Sequence, residues 1–134
     1  MNELIQTIFS GFKVNGVSIP VKFLIYQGHG EPYVTYQQTD AQNSFAGDDE
    51  LLGYVDYYDF DVYSKGNFIP IIESVKQILT DNGFMFQPSR TSADMYETDT
   101  GYFHKTLCFA ILREETNGKN RIDEFPLFQT DGSI

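Results

Sequence analysis

The clearest pattern in the chain is a helical stripe between Asn67 and Gly83. Its apolar residues recur every three or four positions, which places them on one face of an α-helix. They are Phe68, Ile71, Ile72, Val75, Ile78 and Leu79. Asn67 is suited to cap the first turn, because its side chain can accept a hydrogen bond from a free backbone amide. Gly83 is suited to end the helix, because glycine adopts a left-handed conformation readily. A helix with one wide apolar face needs a surface to cover, and the pattern therefore predicts a helix packed across a sheet.

The segments around this helix have the composition and spacing of strands. Five strands are predicted, over residues 19–26, 33–39, 53–64, 84–88 and 102–113. The first two are expected to form a hairpin. A second helix is expected over residues 3–12, before a turn at Asn15-Gly16. The order α-β-β-β-α-β-β predicts an α+β domain with a mostly antiparallel sheet, one main helix packed across a face and an N-terminal helix.

The strand over residues 53–64 has two unlike faces. Its even positions Tyr58, Phe60 and Val62 are apolar or aromatic, and we expect them to meet the main helix. The other face is aromatic and acidic, which suits solvent or a protein partner better than a core. The candidate subunit interface on that face consists of Tyr57, Asp59, Asp61 and Tyr63.

Two segments show no periodic pattern. Residues 40–52 are expected to form a long loop that includes the acidic run Asp48, Asp49 and Glu50. This run lacks the ligand spacing and the glycine of a calcium-binding loop, so a solvated acidic loop is the simpler interpretation. Residues 115–134 are polar apart from one short apolar stretch. The predicted organisation is a single α+β domain over residues 1–114 followed by a mobile C-terminal extension over residues 115–134.

Charge and composition narrow the classes of function. The net charge is −10, and the nine lysines and arginines are scattered, which argues against a nucleic-acid-binding surface. No stretch of 18 apolar residues is present, and the first twelve residues lack the pattern of a signal peptide, so no membrane association is expected. Cys108 is the single cysteine, which excludes an internal disulfide and fits a reducing compartment. These features are typical of a folded protein made in a reducing compartment.

The candidates for chemistry are few. His29 and His104 do not have the spacing of a metal site, and we interpret both as structural; Cys108 is interpreted as a small buried residue. The sequence contains no phosphate-binding loop, no dinucleotide-binding motif and no nucleophile elbow. Asp59 and Asp61 share a strand face, which leaves a carboxylate pair of the glycosidase kind as an alternative. No cofactor or metal is expected, and the sequence favours a binding or assembly protein over an enzyme.

Several segments taken together resemble a known family. They are Asp48-Asp49-Glu50, residues 59–67, Gly83-Phe84, residues 94–99 and residues 102–105. In this order and spacing they are similar to the small tail-completion, or tail terminator, proteins of long-tailed phages and prophages of Gram-positive bacteria. The resemblance covers roughly residues 17–113. It implies a small α+β subunit that forms a ring, commonly a hexamer, which caps the tail tube and joins it to the head.

The resemblance also implies partners and a location. The partners would be copies of the same chain, the tail tube protein and a head-completion or connector protein. DNA would pass through the ring without specific binding, and the acidic run Asp48, Asp49 and Glu50 is the candidate channel loop. The protein would be assembled in the host cytoplasm and reside at the head–tail junction of the virion. A closed ring needs two different complementary patches on each subunit, for which the acidic, tyrosine-bearing strand face and an open sheet edge are candidates.

Two alternatives stay open at this point. The first is another connector of the virion, such as a head-closure or tail-tube subunit, because these proteins also assemble into rings. The second is a small enzyme that depends on a metal ion or on the carboxylate pair. Composition does not separate the virion proteins from one another.

Overall fold

A computed structural model describes residues 1–28, 31–45 and 51–114, without the side chains of residues 45, 51, 52 and 114. The elements in chain order are α1 (Asn2–Ile8), β1 (Lys13–Val14), β2 (Val17–Ser18), β3 (Val21–Phe23), β4 (Tyr33–Phe45), β5 (Leu51–Ser64), α2 (Ile69–Asp81), β6 (Met85–Phe86), β7 (Met95–Glu97) and β8 (Tyr102–Glu114). His29, the acidic run Asp48, Asp49 and Glu50, and the extension over residues 115–134 lie outside the described residues, so the predictions made for them stay predictions.

The fold is α+β, as predicted, with two helices and a mostly antiparallel sheet. The main sheet has the strand order β3-β4-β5-β8-β6, and β7 also pairs with β8. β1 and β2 form a separate two-stranded ribbon. In the part of the chain that is described, no helix is long and apolar enough to cross a membrane.

Helix α2 matches the prediction closely. The Ile69 amide donates a hydrogen bond to Asn67 Oδ1 at 3.1 Å, so Asn67 does cap the first turn. Gly83 has a φ of +91°, the left-handed conformation that ends the helix. The predicted stripe faces inward, and its buried members within the helix are Ile71, Ile72, Val75 and Leu79.

The even face of β5 lies in the same hydrophobic core as this stripe, which confirms the predicted packing. Tyr58, Phe60 and Val62 are all buried. The ring of Phe60 is fully buried and contacts four other aromatic rings, from Phe9, Tyr36, Phe84 and Phe109. Burial of such rings is a main source of stability, because each removes a large apolar surface from water.

The predicted hairpin of the first two sheet strands is wrong. β3 contains only three residues and pairs with β4 in parallel, with Val21 opposite Val34 and Phe23 opposite Tyr36. The strand stops because Leu24 has a φ of +66°. The Ile25 amide donates to the Phe23 carbonyl at 2.7 Å, which closes a three-residue γ-turn and directs the chain away from the sheet.

The long predicted loop over residues 40–52 is also wrong in part. Residues 40–45 continue β4 and residues 51–52 begin β5. These polar residues lack the alternation of a half-buried strand, and neighbouring backbone holds them in the sheet instead.

The N-terminal helix is shorter than predicted, covering residues 2–8. The Asn15-Gly16 turn is confirmed, with φ values of +53° and +80°, and it joins β1 to β2.

One outer edge of the sheet is interrupted. β6 pairs with residues 109–110 of β8, and β7, which the sequence did not predict, pairs with residues 102–104. Between them the chain forms a short 3-10 turn at Pro88–Arg90. The turn is tied to β8 by the Gln87 amide, which donates to the Cys108 carbonyl at 2.8 Å, and by the Ser92 amide, which donates to the Thr106 carbonyl at 2.9 Å.

The chain divides into two compact units. One consists of Met1–Asp40 and Tyr57–Ile111, and it contains both helices and the core described above. The other includes, among the described residues, 41–45, 51–56 and 112–114. Within the second unit, the carboxylate of Asp56 is buried and accepts two hydrogen bonds from Arg113, from Nε at 2.8 Å and from Nη2 at 3.1 Å.

Candidate functional site

The four residues of the candidate interface lie in one row on the second face of β5. They point to the same side of the sheet, because alternate residues of a strand do so. All four are half-buried: Tyr57, Asp59, Asp61 and Tyr63. Both helices of the described chain contribute their buried residues to the core on the opposite face. Side chains from β4, β8 and the Pro88–Arg90 turn approach it from the sides, so each of the four has partners within its own chain.

Three stacked rings cross this face. Tyr33 on β4 stacks on Tyr63 with ring centroids 4.6 Å apart, and Tyr63 stacks on the imidazole of His104 on β8 at 4.1 Å. Tyr102 meets both tyrosines edge-on. Each such pair contributes about 0.5–1.5 kcal/mol beyond the area it buries. Burial, and then the nearby Asp61 carboxylate, raise the pKa of Tyr63 to about 12, which keeps its phenol protonated.

The imidazole of His104 lies between two carboxylates. Its Nε2 is 3.1 Å from Asp61 Oδ1, and its Nδ1 is 3.5 Å from Glu97 Oε2. Asp61 Oδ1 also accepts a hydrogen bond from the Thr106 hydroxyl. The histidine therefore links β5 to β7 across β8, a role that fits the structural interpretation of His104.

Asp59 lies beside the thiol of Cys108. Burial, and next the charge of Asp61, raise the pKa of the Asp59 carboxyl, while Arg90 acts in the opposite direction. Burial, and next the charge of Asp59, raise the pKa of the Cys108 thiol to about 11. A thiol with this pKa is protonated near neutral pH, so it is a poor nucleophile. This agrees with the interpretation of Cys108 as a small buried residue.

Arg90 covers the first residue of the row. Its guanidinium carbon lies 3.8 Å from the centroid of the Tyr57 ring, and its Nη1 is 3.5 Å from Asp40 Oδ2. Both members of this ion pair are exposed, so the pair contributes little to stability, and the stacking on Tyr57 matters more. The arginine comes from the Pro88–Arg90 turn, which bridges β6 and β7.

The chemistry of this face is that of a fixed polar and aromatic surface. Among the residues described, no three or more histidine, cysteine, aspartate or glutamate side chains are grouped to hold a metal ion. The Asp61 carboxylate contacts Thr106 and His104, so Asp59 is not its main partner. Sequence reasoning found the row on β5 but did not find Tyr33, Arg90 and Thr106 as its partners. Only the strand register brings them there, and no local motif encodes it.

The two outer edges of the sheet carry a second kind of surface. At the β3 edge three consecutive apolar side chains are exposed, Phe23, Leu24 and Ile25, and Ile25 has 68% of its surface accessible. The edge that contains β6 and β7 exposes a different set, Met85, Met95, Tyr96 and, on β8 beside them, Phe103. Large apolar side chains in groups mark contact surfaces more often than single exposed ones do.

Comparison with known proteins gives no family for this chain. No protein-family model matches it. A comparison with curated proteins finds no significant match.

Proposed function

We propose that this protein is a structural subunit of a phage virion that forms a ring, which terminates the tail tube and joins it to the head. The proposal starts from the resemblance of residues 17–113 to tail-completion proteins. The single structural observation that supports it most is that two unlike apolar surfaces lie at opposite edges of one sheet.

The difference between the two edges matters because the symmetry of a contact decides whether subunits form a dimer or a ring. A subunit that pairs through one self-complementary patch forms a dimer and stops. A subunit with two different patches joins head to tail, and the chain of subunits closes into a ring when the rotation between neighbours allows it. The exposed turn after β3 and the exposed residues of β7 and β8 meet this requirement. A hexamer is the expected size, following the resemblance.

The half-buried face of β5 supports the proposal in a second way. Its tyrosines and carboxylates are held rigid by their own neighbours, and such pre-ordered side chains lose little entropy on contact with a partner. The sequence marked this face as a candidate subunit interface; with the ring contacts assigned to the two edges, we propose that it meets the tail tube or the head connector. The acidic run Asp48, Asp49 and Glu50 is proposed to line the channel, where its charge would repel DNA phosphates and let DNA slide.

The main alternative is another ring-forming connector, such as a head-closure or tail-tube subunit. The same edges would serve that role. The position in the particle separates the two, because a terminator occurs once per tail, at the head end, whereas a tube subunit repeats along the tail.

The ring is tested by native mass spectrometry of the full chain, alone and with tail tubes. We expect one species of about six subunit masses. Ile25→Asp and Tyr96→Asp each break one edge, so each variant alone should stay monomeric, while an equimolar mixture should form dimers through the two intact edges. A self-complementary contact would instead let one variant dimerise alone.

The location is tested by electron microscopy of tails mixed with the labelled protein. Label at one end of each tail supports the terminator role. Label along the tube favours the alternative, and a protein that stays monomeric and unbound in every mixture overturns the proposal.

A further inference from the structure

We propose that neighbouring copies join by inserting the Phe23–Ile25 turn of one subunit into a hollow between Phe68 and Phe103 of the next. This inference rests on the proposed function and deepens it, because it names the contact that would close the ring. The occupant is a second copy of this chain.

The turn is built as a protruding contact. Leu24 holds a left-handed φ of +66°, which is strained for a residue with a side chain. Its own side chain is about half exposed and Ile25 is 68% exposed, so burial within the subunit does not offset the strain. Phe23, by contrast, packs on Tyr36 with centroids 5.6 Å apart, which fixes the base of the turn. The result is a rigid apolar projection at the sheet edge.

The hollow has the matching chemistry. It has a volume of about 380 Å³ and is lined by Gly66, Asn67, Phe68 and Phe103. Phe68 and Phe103 form its apolar wall, with ring centroids 5.9 Å apart, and Tyr96 packs against the outer side of Phe103 at 4.9 Å. A Cβ placed on Gly66 meets nothing within 4 Å, so there is open space beside this glycine.

A subunit cannot fill its own hollow with its own turn. β3 and β8 are separated by β4 and β5, a distance of about 14 Å across the sheet at the usual strand spacing. The turn is aligned with Tyr36, which stacks on Phe60, and Phe60 contacts Phe109. Phe103 lies six residues from Phe109 along β8, which adds about 20 Å. Only another molecule can bring the two surfaces together.

Charge favours the same pairing. Lys22 is exposed on β3 next to the turn. The opposite edge carries Glu97 on β7, whose side chain is 41% exposed, and Asp99 in the following turn is also exposed; the exposed lysine on this side, Lys65, lies over the Tyr102 ring. Two identical edges would place like charges together, whereas the head-to-tail arrangement places a lysine near carboxylates. The contact is therefore heterologous, as a ring requires.

Disulfide trapping tests the contact directly. The single variants Ile25→Cys and Gly66→Cys are mixed at equal concentration, oxidised, and resolved by non-reducing electrophoresis and intact mass. We expect a heterodimer at least ten times more abundant than in the control mixture of Met85→Cys with Gly66→Cys. Met85 is also more than half exposed, at 53%, but lies on β6, away from the hollow. Cys108 is buried, so it does not compete for oxidation.

A filled hollow provides the second test. Gly66→Leu should lower the fraction of assembled protein at least tenfold without changing the circular dichroism spectrum or the melting temperature of the subunit, because a Cβ at this position meets no other atom within 4 Å and the rest of the side chain enters the open hollow. Cross-linking of Ile25→Cys alone that equals the mixture would overturn the head-to-tail contact, and so would a heterodimer yield no higher than the control.

The outcomes separate this inference from the proposed function. Rings on the tail without a 25–66 cross-link would overturn the contact and leave the terminator role standing. A strong 25–66 cross-link in a protein that never binds tails would support the contact and overturn the terminator role.

Discussion

The imidazole of His104 lies face to face with the ring of Tyr63, with centroids 4.1 Å and planes 14° apart, while its Nε2 faces Asp61. This contact joins β5 to β8 on the half-buried face of the sheet. It is the middle of an array that starts at Tyr33 and ends at Glu97. The array gives the candidate surface its rigidity, and removing its central ring is the most direct way to test that.

Tyr63→Ala is expected to destabilise the subunit by about 2–3 kcal/mol, because it removes two stacked contacts and part of a buried ring. Urea unfolding followed by circular dichroism measures the change. Tyr63→Phe is the matched control, since it keeps the ring and loses only the hydroxyl, and it should stay within about 0.5 kcal/mol of the wild type. A loss of under 0.5 kcal/mol for the alanine variant would show that the stacking contributes nothing.

Asp59→Asn is expected to stabilise the subunit at pH 7. The folded state raises the pKa of Asp59 above its unfolded value near 4, so the folded state holds the proton more tightly. The protonated Asp59 carboxyl stabilises the folded state at pH values below its unfolded pKa. This stabilisation is lost as the pH rises through the folded pKa. The gain from the substitution should therefore shrink toward pH 4, as measured by melting temperature. A gain that is constant with pH would contradict this account.

The neighbouring carboxylate provides the contrast. Asp61→Asn is expected to destabilise the subunit by about 1–2 kcal/mol at pH 7, because Asp61 accepts the hydrogen bond of Thr106 and faces His104. The same melting experiment measures it. Opposite signs for two carboxylates on one strand face would show that their partners, not their shared charge, decide their effect.

Arg113→Ala is expected to destabilise the unit that holds Asp56 by about 2–4 kcal/mol, because it leaves a buried carboxylate without its main partner. Half of the Arg113 side chain is exposed, which places the effect in the lower part of the range. Arg113→Lys keeps the charge but not the two-point geometry, and it should recover less than half of the loss. Denaturant unfolding measures both variants, and the double variant with Asp56→Asn should lose less than the sum of the single losses.

Cys108 is expected to be unreactive in the folded protein. With a pKa of about 11, the thiolate fraction at pH 8 is about two hundred times smaller than for a free cysteine with a pKa near 8.5, and burial slows the reaction further. The rate of labelling with a chromogenic disulfide reagent measures this. Labelling in urea should consume one equivalent, and a folded-state rate equal to the urea rate would contradict the burial of this thiol.

The sequence was informative where local pattern decides the structure. The stripe of α2, the cap at Asn67 and the left-handed Gly83 were all predictable, because they depend on spacing within one turn or two. The two faces of β5 were predictable for the same reason. The row Tyr57 to Tyr63 could therefore be identified before its surroundings were known.

Contacts between distant segments were not predictable. β3 pairs in parallel with the strand that follows it, and it ends at the left-handed Leu24, a conformation that leucine rarely adopts and that no motif signals. The polar ends of β4 and β5 are strands because neighbouring backbone pairs with them. Arg90 reaches Tyr57 only through the turn between β6 and β7, and the pairing register on β8 decides that approach.

The break at Pro88–Arg90 has a consequence for how this protein behaves at high concentration. The outer edge offers a visiting strand only two residues at β6 and three at β7, with a proline-containing turn between them. A foreign chain would find too few consecutive amides and carbonyls to extend the sheet. This edge is therefore a poor template for the growth of amyloid-like fibres.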